Sequence, residues 1–357
     1  MLGSTLKQLL KIGLTQPEFH RLAARLSLTV ESFDVEQNGL GYNNLIYMAV
    51  VLSELALNPD AAYKALIVEE PEAHLHPQLQ AVLLEYLHAI ETPQASQKLV
   101  QVFVTSHSPH FASIARLDSL VCLFQTPGKV GAFFPREAIF GAKKREKLQR
   151  YLDVTRADLF FARRLILVEG AAERFLVDAL ARKQNIKLRQ HSVSVLSTEG
   201  LNFDCFAPLF GDAALPIRVA ILTDSDTASY PKLTDTPPLS PAAGAIGALK
   251  NAWIQPYFAK KTLEYDLALY PENRSFMLDA LTEIHPAIGA ALKVKVDAAS
   301  EDDKPRVLFC GMFDRANGAN VKKGEFAQAL AAVIAEPSVP FTVPQYIYDA
   351  LTYVTKT

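Results

Sequence analysis

The sequence predicts an α/β protein of two domains, each built on a parallel sheet, and three observations carry that expectation. The chain has 357 residues, which at roughly 150 residues per domain suggests about two domains. Its composition, 50% hydrophobic and 21% charged, supplies substantial cores and excludes a disordered chain. Short β-rich apolar runs alternate with longer runs of helical spacing, an order that favours parallel pairing with functional loops at the strand carboxyl ends.

Taken in order, residues 44–57 have helical spacing and 65–68 form a strand that ends in acids. Residues 81–90 read as a helix and 99–104 as a strand stopping at Thr105-Ser106-His107-Ser108-Pro109. Residues 121–124 and 131–134 flank Pro127-Gly128 as a hairpin. Residues 141–150, with Lys143, Lys144, Arg145, Lys147 and Arg150, form a basic amphipathic helix suited to connect two halves. Buried strands follow at 165–168, 193–196 and 219–222, with a helix at 173–181. Residues 231–245, rich in Pro, Ala, Ser and Gly, and the charged stretch 298–304 are expected as surface loops. The expected division is 1–140 for a first domain, 141–160 for a helical connector and 161–357 for a second domain with a C-terminal helical extension.

Charge and cysteine usage narrow the class. Thirty-six Lys plus Arg against 38 Asp plus Glu leave a formal charge of −2, so any grip on nucleic acid must come from local patches. Cys122, Cys205 and Cys310 are far apart and form no Cys-x-x-Cys, which argues against disulfides or a thiolate zinc site and fits a reducing cytosol. No apolar run approaches the roughly 20 residues a bilayer requires and no leader pattern opens the sequence, so the expectation is a cytoplasmic protein without membrane association.

The string Leu66-Ile67-Val68-Glu69-Glu70-Pro71-Glu72-Ala73-His74-Leu75-His76-Pro77 places two carboxylates just beyond a strand. There a magnesium ion and an attacking water can be held beside a phosphate, Glu69 toward the metal and Glu70 toward the water. Val102-Phe103-Val104-Thr105-Ser106-His107 brings an imidazole to the end of a neighbouring strand. Together these strings resemble the Walker B, D-loop and switch-histidine segments of ABC-type ATPases, in the version carried by the OLD (overcoming lysogenisation defect) family and related RecF- and SMC-like proteins. Gly39-Leu40-Gly41-Tyr42-Asn43-Asn44-Leu45 lies where that family has its signature segment. The resemblance implies a partial ATP site of Asn43, Asn44, Glu69, Glu70 and His107, and a first domain that is the C-terminal portion of an ABC-type ATPase. It also implies a homodimer, because such heads act in pairs. No Gly-x-x-x-x-Gly-Lys-[Ser/Thr] occurs, and Gly128-Lys129 is followed by Val130. ATP is therefore expected only if a partner subunit or a missing N-terminal segment supplies the phosphate loop, and ATP hydrolysis by this chain alone is not expected.

In the second half, Leu165-Ile166-Leu167-Val168-Glu169-Gly170-Ala171-Ala172-Glu173 reads as a buried strand, a tight turn and a helix start. Glu173 falls one helical turn beyond Glu169, so both can project toward one point if the helix begins at Gly170. Val219-Ala220-Ile221-Leu222-Thr223-Asp224-Ser225-Asp226 ends another strand in Asp-x-Asp. Clustered carboxylates repel one another unless cations neutralise them, and hard oxygen ligands suit Mg²⁺ or Mn²⁺ rather than zinc.

A strand ending Glu-Gly followed by one ending Asp-x-Asp resembles the Toprim domain of topoisomerases, bacterial primases, recombination proteins and OLD nucleases. Asp158-Leu159-Phe160-Phe161-Ala162, Lys261-Thr262-Leu263-Glu264-Tyr265-Asp266-Leu267 and Lys322-Lys323-Gly324-Glu325-Phe326-Ala327 resemble the OLD version. That resemblance implies a DNA endonuclease or nickase with two Mg²⁺ or Mn²⁺ ions held by Glu169, Glu173, Asp224, Asp226 and Glu264. Lys323 would neutralise developing phosphate charge, with Lys322 the close alternative. Phage defence or DNA repair is the role the family suggests.

Competing readings stand beside these. Glu72, His74 and His76 could suggest zinc, but His-x-His-Pro is more simply a helix start. Ser106-His107 lacks a nucleophile elbow, Gly39-x-Gly41 lacks a third glycine, and Asp266 is expected on the surface. Two alternatives to the nuclease are a non-cleaving DNA-binding or assembly module and another Toprim phosphotransfer activity, primer synthesis or RNA maturation.

Overall fold

The structure, a computed structural model, describes residues 10–14, 26–30, 33–34, 38–57, 63–90, 100–314, 318–336 and 338–356. The chain forms two compact units, Met1–Ala115 and Arg116–Thr357.

In the first unit β1 (Leu10–Leu14) and β2 (Leu26–Val30) pair antiparallel, with β3 (Phe33–Asp34) on the other edge of β2. The apolar pattern does not reveal these strands, because five residues interrupted by Gly13 give a weak period of two. Helix α1 (Leu40–Leu57) buries Leu45, Met48 and Leu52, spaced three and four apart on one face. Then come β4 (Ala65–Glu69), α2 (Pro77–Ile90), β5 (Gln101–Thr105) and α3 (Pro109–Ile114). Strands β4 and β5 are parallel with Glu69 opposite Thr105, so the acidic and histidine-bearing turns leave the sheet at the same end. Ser108 fixes the second turn: its Oγ accepts the Phe111 amide at 3.2 Å and Pro109 takes the first helical position.

The second unit opens with a hairpin, β6 (Cys122–Thr126) and β7 (Lys129–Phe133), turning at Gly128 with φ +76°. Phe133 and Leu117 pack with Leu148 of α4 (Lys144–Tyr151), so this hairpin belongs to the second unit's core. After α5 (Val154–Ala157) the chain alternates β8 (Arg164–Val168), α6 (Ala171–Lys183), β9 (Val193–Ser197), α7 (Phe203–Phe206), β10 (Arg218–Thr223), α8 (Pro241–Gly247) and β11 (Ile254–Phe258). The four strands make one parallel sheet in the order β11-β10-β8-β9.

Leu165 to Val168 are fully buried, as expected for a central strand covered on both faces. Ile166, Val168, Ala220 and Leu222 enter one core, whereas Leu165, Leu167, Val219 and Ile221 enter the other, which follows from side chains alternating along a strand. Each fully buried Leu or Phe contributes roughly 1.5–3 kcal/mol.

One expectation needs correction. Residues 231–245 are not loop throughout: Ser240 Oγ accepts the Ala243 amide, Pro241 starts the helix, and α8 forms. Pro256 lies within β11 although proline cannot donate to a ladder; it is tolerated because β11 is the sheet edge.

The C-terminal part is helical: α9 (Leu263–Leu269), α10 (Asn273–Ile284), α11 (Pro286–Ala298), α12 (Lys304–Phe313), α13 (Lys323–Ala335) and α14 (Gln345–Thr355). Helix α13 packs along α6 through Phe326 and Leu330 in the core that contains Leu176 and Leu180. Among the described residues no helix is long and apolar enough to cross a membrane.

Candidate active site

Adjacent parallel strands in register end at the same level. Leu222 sits opposite Val168, so Glu169 and the Thr223-Asp224 pair emerge side by side although more than fifty residues separate them. The Thr223 hydroxyl donates to Glu169 Oε1, and the Asp224 amide donates to the same oxygen at 3.0 Å. Glu173 lies one turn into α6, where its Oε2 accepts the Gly170 amide at 3.0 Å. That is half of a capping box, since glycine has no side chain to reciprocate.

Asp224 Oδ1 accepts the Leu263 amide at 3.0 Å, which ties the end of β10 to the start of α9. The next residue, Glu264, is only 1% exposed. Lys323 at the start of α13, its side chain 43% exposed, places Nζ 2.9 Å from Glu264 Oε2. Helices α6, α9 and α13 thus all begin at this cluster, and their N-terminal partial charges favour anions there.

Four carboxylates face one ammonium. Burial, then the charges of Glu264 and Glu169, push Asp224 well above the ordinary carboxylate range, with Lys323 opposing. Burial also raises Glu173, against its backbone hydrogen bond and with help from Glu264 and Glu169. Burial works against the charge on Lys323, but Glu264, Asp224 and Glu173 outweigh it and hold the ammonium above its usual range.

Both Glu264 oxygens are buried without a hydrogen-bond partner. The short contact with Lys323 is therefore an ion pair of poor hydrogen-bond direction. A buried carboxylate lacking donors, among three more acids and a single lysine, is a donor set that fits a hard divalent cation. Among the described residues no three ligating side chains already surround a common point; one oxygen each of Glu169, Glu173 and Asp224 accepts from Thr223 or a backbone amide.

This imbalance has a pH signature. Asp224 and Glu173 titrate above their unfolded values, so the folded chain holds protons that the unfolded chain releases. Their contribution is present below about pH 4 and is lost as pH rises through the raised values. In metal-free buffer Asp224→Asn is expected to flatten the fall in melting temperature above that pH. Calorimetry over a pH series checks this, and an unchanged slope in the variant would remove Asp224 from the account.

Not every expected residue joins the group. Asp226 is exposed, with φ +51°, and its amide donates to the Lys261 carbonyl at 3.3 Å. It lines an open cavity of about 540 Å³ beside the cluster, with Lys261 and Thr262. Asp266, expected at the surface, is buried. Its oxygens accept the Lys260 and Lys261 amides at 2.8 and 3.1 Å, and burial moves it up to about 7. Thr223 and Tyr346 were not singled out. The first orients Glu169; the second is pushed well above its usual range by burial and by Asp266, Asp224, Glu173 and Glu264.

In the first unit, Glu70 leaves β4 with φ +43° and its amide donates to the Thr105 carbonyl at 3.0 Å. His107 Nε2 lies 3.7 Å from Glu70 Oε1, and Glu72 Oε1 accepts the Ser106 hydroxyl at 2.5 Å and the His107 amide at 3.3 Å. Glu69 and Asn44 are exposed, whereas Asn43 Oδ1 is buried without a partner. Gly41 permits a close approach: a Cβ there would meet the His74 carbonyl oxygen at 2.5 Å. The His76 carbonyl accepts the Leu79 and Gln80 amides at the start of α2.

Basic side chains that could grip DNA are largely engaged within the second unit. Lys144 pairs with Asp204 at 2.7 Å, Arg145 with Asp118 at 3.1 Å, and Lys147 donates to Asn202. Arg164 donates to the His191 carbonyl, Lys260 to that of Asp235, and Lys261 to those of Thr227 and Ser229.

Comparison with known proteins matches residues 4–112 to an AAA ATPase domain family and residues 160–226 to the Overcoming lysogenization defect protein-like TOPRIM domain family. The second match contains Glu169, Glu173, Asp224 and Asp226. The chain is 26% identical over 170 residues to an OLD nuclease of Thermus scotoductus, covering 46% of this chain and 31% of that protein. It is 23% identical over 252 residues to the endonuclease GajA of Bacillus cereus, covering 62% and 36% respectively. It therefore spans about a third of the length of these curated relatives. A solved C-terminal region of the Burkholderia pseudomallei OLD protein is similar at 27% identity with a TM-score of 0.38, covering 54% of this chain and 97% of that one. By its two family matches, this chain joins an AAA ATPase domain to an OLD-like Toprim domain.

Proposed function

We propose that the second unit is a metal-dependent DNA endonuclease or nickase centre, linked in the full assembly to the ATPase. The observation that carries this reading is the buried Glu264 carboxylate, without hydrogen-bond donors, packed with Glu169, Glu173, Asp224 and Lys323 at the carboxyl ends of β8 and β10. The names of the two relatives, a nuclease and an endonuclease, support it.

In this reading Glu169, Glu173, Asp224 and Glu264 hold the cations, and Asp226 joins from the cavity rim. Two Mg²⁺ or Mn²⁺ ions, when bound, supply an activated water and stabilisation of the leaving 3′ oxygen. Thr223 orients Glu169, and the Asp224 amide donates to the same oxygen, so this carboxylate is held at the ends of β8 and β10. Lys323 keeps its proton and offsets negative charge developing on the scissile phosphate. The protein would act in the cytoplasm as a homodimer.

Supercoiled plasmid incubated with Mg²⁺ or Mn²⁺ should become nicked or linear, and EDTA should prevent it. Retarded but intact plasmid under every ion would favour the non-cleaving DNA-binding alternative. In the first unit, Asn43, Asn44, Glu69, Glu70 and His107 form a partial nucleotide site lacking a phosphate loop. ATP turnover by this chain alone is accordingly expected to match a no-protein control in a phosphate-release assay. Turnover abolished by Glu70→Gln would contradict that.

A further inference from the structure

Beside the carboxylate cluster runs a chain of ring contacts. Tyr230 and Phe309 lie 6.4 Å apart, Phe309 and Phe313 5.8 Å, and Phe313 and Phe326 5.5 Å, with Tyr265 at 5.7 Å from both Tyr230 and Phe309. One end, Phe326, is fully buried in the core, whereas Tyr230 is 36% exposed. Tyr230, Phe309 and Phe313 line the cavity of about 540 Å³ that also contains Asp226 and Thr262. Its volume is typical of ligand pockets, roughly 300–1,000 Å³.

Two cations lie over the Tyr230 ring, Lys261 Nζ at 4.6 Å and Arg306 Cζ at 5.0 Å. A merely structural aromatic cluster would close on itself. Here half-buried rings and two threonines line an open space together with Lys261, Asp226 and Asp314.

We propose that this cavity receives one unstacked nucleobase of the DNA strand whose phosphate lies on the carboxylate cluster, which gives the centre a preference for single-stranded or locally unpaired DNA. The inference rests on the nuclease reading and adds a substrate class to it. Flat π-faces beside cations stack bases of any sequence, and the rim aspartate sets the spacing between base and phosphate. Extracting a base from a duplex is opposed by stacking and pairing, so unpaired strands enter more readily.

The test uses the full chain in Ca²⁺ buffer with fluorescein-labelled (dT)15, and a 15-mer of the same charge whose five central residues are abasic. Fluorescence anisotropy is expected to show about tenfold tighter binding of (dT)15. Tyr230→Leu and Phe313→Leu should each shrink that ratio below about threefold, and Tyr230→Phe should keep it. Equal binding of the two oligomers by the wild-type chain, binding of neither, or an unchanged ratio in both leucine variants overturns the proposal. If a leucine variant melts early, the wild-type ratio alone decides. Plasmid cleavage that depends on Glu169 while the two oligomers bind equally would reject the base subsite and leave the nuclease standing. Cleavage indifferent to Glu169 would reject the nuclease itself.

Discussion

Glu169→Ala is expected to lower metal-dependent plasmid cleavage by about a thousandfold or more, the scale associated with loss of a central electrostatic group. Glu169 stands where β8 and β10 end together, and one of its oxygens is fixed by both the Thr223 hydroxyl and the Asp224 amide. Alanine leaves those two donors without their acceptor, so some loss of stability accompanies the loss of activity. Glu169→Gln separates the two effects: it retains an acceptor oxygen and should melt close to wild type, yet cleave almost as poorly as the alanine variant. Asp226→Ala, at an exposed position, should reduce cleavage with little change in melting temperature. A time course of supercoiled, nicked and linear plasmid reads all three. Cleavage indifferent to both alanine substitutions would reject the site assignment.

The second large effect is expected at Lys323. Its ammonium is the cation contacting the buried Glu264 carboxylate, and removing one member of a buried pair leaves the other uncompensated. Because the lysine side chain is partly exposed, Lys323→Met should destabilise by a discounted amount, about 1–3 kcal/mol. It should also slow cleavage by about a hundredfold or more, through loss of positive charge at the phosphate. The double variant Lys323→Met with Glu264→Gln removes the stranded charge and should regain stability while staying inactive. Denaturant melts alongside the plasmid assay read this cycle. Recovery of cleavage in the double variant would mean that Lys323 acts only by neutralising Glu264.

The sheet of the second unit was legible because its strands are apolar on both faces and stop abruptly at acids. Leu165 to Val168 before Glu169, and Val219 to Leu222 before Asp224, each announce a covered parallel strand with a functional end. Strand β11 escaped notice because Pro256 masks a strand that only an edge position allows. The short strands β1 to β3 escaped because their periods are too brief to register.

Within the site, the pairing of Glu169 with Asp224 follows from strand ends alone. The approach of Glu264 and Lys323 depends on α9 and α13 beginning at the same place, which no local pattern states; only resemblance to the OLD Toprim segments pointed there. Asp266 shows the opposite failure. A charged residue in a helix's first turn reads as solvated, but the turn preceding α9 folds its amides over it. The basic run of residues 143–150 reads as a connecting helix, and only tertiary partners such as Asp204, Asp118 and Asn202 show where its charges go.

The most direct measurement is Mn²⁺ anomalous scattering from crystals of the full chain. The expected result is density within coordination distance of carboxylate oxygens contributed by Glu169, Asp224 and Glu264, with their present partners turned aside. Crystals equilibrated in millimolar Mn²⁺ that diffract well yet show no anomalous peak among these three residues would contradict it.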